Sequence, residues 1–229
     1  MMNKIKKLCA AAGFALAAAF PAACYAQIEV LDESFDEIAT LSGWSLINAS
    51  SPAGRSWFQG NPGIFGAQAG DANAYIAANY LSARNGAGNI DNWLLTPTLD
   101  LLGPTTLSFF ARSAAAAGLN DTIEVRFSPG AGSSLAGFTT LLGTVGGVDD
   151  FPATWAQFTA NIDYEGSGRF AFRYVGDAAA SNYVGIDTVF VTTVPEPGAY
   201  LMLLAGLGTI GGFAALRRRQ RHHALGDFQ

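Results

Sequence analysis

The chain has 229 residues and a formal net charge of −5. Its two cysteines are Cys9 and Cys24, its two histidines are His222 and His223, and its three lysines are Lys4, Lys6 and Lys7, so the stretch from Gln27 to Thr193 contains none of the three residue types. That composition excludes from the stretch a Ser-His-Asp or Cys-His catalytic arrangement, a zinc site of histidines or thiolates, and a disulfide staple.

From the N-terminus, Lys4, Lys6 and Lys7 form a basic region, and Leu8 to Phe20 is an apolar run of 13 residues broken by Pro21. Cys24-Tyr25-Ala26 places small residues at the −3 and −1 positions, so residues 1–26 read as a secretory signal peptide cut before Gln27. A lipobox ending at Cys24 is the competing reading, but Pro21 stands where leucine is usual. Beyond Gln27 the chain is rich in period-two alternation. Early strand candidates are Ile28 to Phe35, Trp44 to Asn48, Ser56 to Gln59, Ala74 to Ala78 and Trp93 to Thr96. Stronger ones are Thr106 to Ala111, Thr122 to Phe127, Thr154 to Ile162, Arg169 to Tyr174 and Tyr183 to Val191. Strands of this length separated by Gly, Pro, Asn and Asp predict an all-β domain over 27–193, a jelly-roll-like antiparallel β-sandwich of two sheets. Trp44, Trp57, Trp93 and Trp155 are expected between the sheets. The long Gly- and Asn-rich connections, Gly60 to Asn73 and Leu81 to Asp91, are where a binding site would lie. Sixteen acids face six arginines in this domain, a net of −10, which repels nucleic acid and suits a hard cation with oxygen ligands.

After the domain comes Val194-Pro195-Glu196-Pro197 and then an uncharged run, Gly198 to Leu216, of 19 residues. As a helix the run would span about 28 Å, close to the hydrocarbon thickness of a bilayer. Arg217, Arg218 and Arg219 come next, with Arg221 close behind, and basic residues stay on the cytoplasmic side. One transmembrane helix over 198–216 and a cytoplasmic tail over 222–229 are therefore expected, with the β-domain outside.

Two resemblances rest on these residues. Pro195-Glu196-Pro197, the apolar span and Arg217, Arg218 and Arg219 resemble the PEP-CTERM sorting signal over 194–221, which implies processing by an exosortase and delivery to the cell surface or extracellular polysaccharide. Within the domain, Glu33-Ser34-Phe35-Asp36 with Gly43-Trp44, then Trp93-Leu94-Leu95-Thr96-Pro97, Asp121-Thr122-Ile123-Glu124-Val125 and Gly185-Ile186-Asp187-Thr188-Val189 stand in an order similar to the cleaved-adhesin, or choice-of-anchor J, domain. The resemblance implies a surface module for adhesion, with a structural calcium where the first strand meets the last. Glu33, Asp36 and Asp187 are the ligands expected there, with Asp71 completing the shell beside backbone carbonyls. The function expected is that of an exported, non-catalytic surface or matrix protein. The alternatives are a carbohydrate-binding module that recognises extracellular polysaccharide and, with less support, a polysaccharide hydrolase. For the last, Asp149-Asp150 and Asp163 with Glu165 are adjacent or near-adjacent acids on expected loops, without an identifiable partner across a cleft.

Overall fold

A computed structural model describes residues 27–114, 116–195 and 206–210. The expected signal peptide, 1–26, and the tail from Glu196 onward lie outside these, except for one helical turn at 206–210. Among the described residues no helix is long and apolar enough to cross a membrane.

The described domain is antiparallel β. In chain order the strands are β1 (Ile28–Glu33), β2 (Ser45–Asn48), β3 (Phe58–Gln59), β4 (Ile76–Asn79) and β5 (Asn89–Leu95), then β6 (Leu99–Ser113), β7 (Thr122–Pro129), β8 (Thr140–Gly146), β9 (Ala156–Asp177) and β10 (Tyr183–Thr193). The two expected sheets are hydrogen-bonded into one curled sheet with the order β2-β5-β9-β6-β10-β4-β3; β7 and β8 continue from β9, and β1 lies beside β10.

The cause is the length of β6 and β9. Sequence reading ends strands at glycine and proline, so it places a strand at Thr106 to Ala111 and two separate strands within 154–174. Instead β6 runs unbroken from Leu99 to Ser113, and β9 from Ala156 to Asp177. Gly103 and Gly166 take φ of +126° and +123° near each other in the ladder, so both strands bend there without losing their pairing. β9 pairs with β6 through its first half and with β5 and β7 through its second.

Curling brings the two halves face to face. Phe109 of β6 meets Phe172 of β9 edge-on at 4.9 Å and stacks on Phe158 at 5.7 Å, while Phe127 packs on Phe170 at 5.2 Å. β6 alternates buried and less buried positions along its whole length, with Leu101, Leu107, Phe109 and Ala111 inside. Trp57 joins this core against Tyr174, whereas Trp93 sits on the opposite face in a small cluster with Leu95, Phe138 and Ala171. Trp44 and Trp155 are only partly buried. Thr96-Pro97 ends β5: the Thr96 amide donates to the Phe170 carbonyl at 2.9 Å, and its hydroxyl accepts from the Phe170 amide at 3.1 Å. Arg169, buried beside it, donates through Nε to the Thr96 carbonyl at 2.7 Å. Burial lowers the pKa of this guanidinium.

A buried carboxylate fixes the entry to β7. Asp121 Oδ1 accepts from the Tyr174 hydroxyl at 2.6 Å and from the Asn182 amide at 2.8 Å. Burial raises its carboxyl pKa above the ordinary 3.8, and these two bonds pull it partly back. A raised folded-state value means that the folded chain takes up this proton before the unfolded chain does. The stability from this group is therefore complete below 3.8 and declines as pH rises through the folded value. Asp121→Asn removes that slope. The urea midpoint of the natural chain is expected to fall relative to that of the variant as pH rises from about 4; parallel midpoints across the pH series would contradict the raised pKa.

Candidate functional site

The outer face of β10 carries the site. Tyr183, Gly185 and Asp187 alternate onto that face, away from the core residues Val184 and Ile186. An outward-facing strand would normally show a half-exposed pattern, yet every residue from Tyr183 to Asp187 is buried. The segment 60–73 covers them.

Aromatic rings form the floor of this cover. Phe65 stacks on Tyr75 at 5.1 Å and meets Tyr183 and Trp155 edge-on at 5.3 and 5.6 Å. Gly185 is what allows this close seating, because a Cβ there would lie 2.8 Å from the Tyr75 ring and 3.0 Å from Trp155. Polar groups then tie the segment down. The Tyr75 hydroxyl bonds with the Asn61 and Phe65 carbonyls at 2.9 and 3.0 Å and with the Tyr183 hydroxyl at 3.2 Å. Trp155 Nε1 donates to the Gly66 carbonyl at 2.9 Å. Burial pushes the phenol pKa of both Tyr75 and Tyr183 up, so both stay protonated.

Asp187 closes the arrangement. Its Oδ2 accepts from the Gln68 and Ala69 amides at 2.7 and 3.2 Å, and its Oδ1 accepts from the Thr188 amide at 2.6 Å. The Thr188 hydroxyl lies 2.9 Å from Gln68 Oε1 and 3.3 Å from Oδ1, with one proton for the two. Thr188 itself has a φ of +50°, where the register of β10 against β6 shifts.

The other sequence-predicted acids gather around the same junction without forming a cage. Glu33 ends β1, opposite Val189 of β10, and its Oε1 accepts from the Phe35 amide at 2.8 Å. That bond holds Phe35 at a φ of +54°, with its ring buried against Trp44 at 5.2 Å. Left-handed backbone at non-glycine residues costs of order 1–3 kcal/mol. Asp36 Oδ2 accepts from the Ser34 hydroxyl at 3.2 Å, and its Oδ1 is 3.2 Å from where a Cβ on Gly70 would be, next to Asp71. Gln59 ties these pieces together: its Nε2 donates to the Phe35 and Asn73 carbonyls at 2.8 and 2.6 Å, and its Oε1 accepts from the Ile38 amide at 2.9 Å.

Among the described residues no group of three or more His, Cys, Asp or Glu side chains could hold a metal ion. Burial raises the Asp187 carboxyl pKa, and three amide donors pull it partly back, the part a cation would otherwise play. Asp149 and Asp150 are exposed in the connection from β8 to β9, and Asp163 and Glu165 are exposed on β9. Of the sorting residues, Pro195 is described, while Glu196, Pro197, Arg217, Arg218 and Arg219 lie outside the described residues. Sequence reading missed Gln59, Gln68, Tyr75 and Tyr183. The one signal for them was the clustering of aromatics on either side of a long polar loop.

Comparison with known proteins bears on the tail and on the domain. Residues 193–219 match the PEP-CTERM protein-sorting motif. Among curated proteins none matches the chain. The fold is similar to the K1 cleaved adhesin domain of Lys-gingipain from Porphyromonas gingivalis, at 26% identity and a TM-score of 0.57, over 72% of this chain and 98% of that one. The K3 cleaved adhesin domain of the same protein is similar at 22% identity and a TM-score of 0.56, over 73% of this chain and 99% of that one.

Asp187→Ala leaves three amide donors without an acceptor beneath the 60–73 segment. It is expected to cost about 2–4 kcal/mol in urea unfolding and to raise amide exchange first at Gln68 and Ala69; an unchanged midpoint would show that Asp187 does not hold the segment.

The chain thus carries a PEP-CTERM sorting motif, which marks it as an exported surface protein, behind a β-domain with the fold of cleaved adhesin domains.

Proposed function

We propose that this chain is a non-catalytic surface module, delivered by exosortase processing, whose β-domain acts in adhesion or in building the extracellular layer. The observation that carries the reading is the seam between domain and signal. β10 ends at Thr193, and the sorting motif begins at that same residue. The Val194 amide still donates to the Pro104 carbonyl of β6 at 2.9 Å. A folded module is thus joined to a sorting signal with no spacer between them. In this reading residues 1–26 are the signal peptide, 27–193 the module, and 194–221 the processed signal. Residues 198–216 cross the membrane transiently, and 222–229 stay in the cytoplasm. Cleaved adhesin domains supply the fold, and adhesion is carried from their name by analogy.

Deleting residues 194–229 is expected to release the protein into the medium, read by fractionating cells and medium; retention at the surface would show that the tail is not the anchor.

A structural calcium is part of the proposal in a narrower form. Asp187 is committed to amide donors and no three acids cluster among the described residues, so an ion at this junction would take Asp36 with backbone carbonyls and draw in Glu33 or Asp71. Thermal unfolding of the purified protein in calcium and then in chelator tests this. A calcium-dependent rise lost in Asp36→Ala is the expected result, and identical curves would remove the ion from the account.

Carbohydrate binding by the same domain is the second reading, favoured by the arginines that lie over the aromatic cluster of the outer face.

A further inference from the structure

The six arginines of the domain divide by what they touch. Arg126 pairs with Glu124 at 2.7 Å, and Arg173 pairs with Asp91 at 2.7 Å and with Glu124 at 3.1 Å. Arg169 is buried among backbone carbonyls. Arg84 is exposed at a turn. Arg55 and Arg112 differ from all of these. The Arg55 guanidinium lies 3.7 Å over the Phe58 ring, and that of Arg112 lies 4.4 Å from the centre of Phe65. Neither forms an ion pair among the described residues, and Arg112 Nε is buried without a hydrogen-bond partner.

Both belong to one surface. Phe58 and Phe65 each pack edge-on against Tyr183, at 5.8 and 5.3 Å. Pairing runs in a row from Phe58 to Ala77 across β3 and β4, to Gly185 on β10, and to Arg112 on β6. Paired residues share a face, so the two cations flank a single aromatic cluster, itself buried, with half-buried Trp155 at its edge. The domain holds sixteen carboxylates, yet among the described residues neither fork pairs with one. Here two forks lie over rings instead: Arg55 is exposed, and Arg112 is half-buried with its Nε enclosed.

We propose that the rim of this face binds a carboxylate-bearing polysaccharide, a uronate chain, with Arg55 and Arg112 each taking a sugar carboxylate and half-buried Trp155 supporting a sugar ring. The proposal rests on the carbohydrate-binding reading and narrows it. Charge complementarity favours this occupant over a neutral glycan, since two cations without acidic partners among the described residues bind carboxylates more strongly than hydroxyls.

Affinity electrophoresis of the full-length protein in gels holding polygalacturonate, its methyl ester or polyglutamate tests the idea. The expected result is retardation by polygalacturonate alone, weakened at least about tenfold in Arg55→Gln and in Arg112→Gln, and unchanged in the control Arg84→Gln. Arg55 is exposed and, among the described residues, its side chain forms no hydrogen bond or ion pair, so its variant reads binding with little effect on folding. Equal retardation by the methyl ester would overturn the acidic specificity while leaving general carbohydrate binding in place. Equal retardation by polyglutamate would replace a glycan site with a polyanion site. No retardation, or full retardation of Arg55→Gln, would overturn the proposal outright.

Discussion

The ladder between β6 and β9 is the constraint that sets everything else. It pairs Leu99 with Gly168 and continues without a break to Ala111 and Ala156. With no disulfide possible in the domain and no lysine to form ion pairs, the fold depends on apolar burial and on continuous backbone hydrogen bonding. A single bent ladder serves both needs. It joins what would be two sheets and turns their apolar faces toward each other, so Phe109 and Phe172, on paired strands of the ladder, meet across the core.

The same curl leaves an outer face on each half, and each is closed by its own loop and its own aromatic cluster. On one, Phe138 seals Trp93 beside Arg173, and the charge there is neutralised internally by Asp91 and Glu124. On the other, Phe65 seals Tyr75 and Tyr183, a carboxylate anchors the loop, and the arginines stay uncommitted. Two similar devices thus differ in whether their cations are consumed. That difference separates a face built for stability from a face able to meet something else.

Much of this was legible in the sequence. Period-two alternation located β7 and the second half of β9 closely, while Glu33, Asp36, Asp71 and Asp187 lie on neighbouring segments without forming a cluster of three acids among the described residues. Two things were not legible. Gly103-Pro104 and Gly166 look like strand ends because glycine and proline usually punctuate, and only the pairing of both bends shows them to be one continuous curve. Asp187 is expected as a cation ligand because the resemblance implies a calcium where the first strand meets the last. Its donors are the amides of Gln68 and Ala69, more than a hundred residues away in sequence, and backbone amides leave no compositional trace. Likewise Arg55 and Arg112 are ordinary surface residues until Phe58 and Phe65 are placed beneath them.

The seam at Thr193 has a mechanical consequence. β10 runs from the aromatic face at Tyr183 to the tail at Thr193, about 33 Å at a strand's rise per residue. A partner held at that face and an anchor at the tail would pull along the axis of this one strand. β1, β4 and β6 flank it, and their bonds lie across the pull, so they share the strain in shear instead of opening one by one. Tension between the two chain ends would act differently, since Ile28 and Thr193 are paired at the same end of the ladder and would peel apart like a zip. The tether point therefore sets the direction in which the domain resists force.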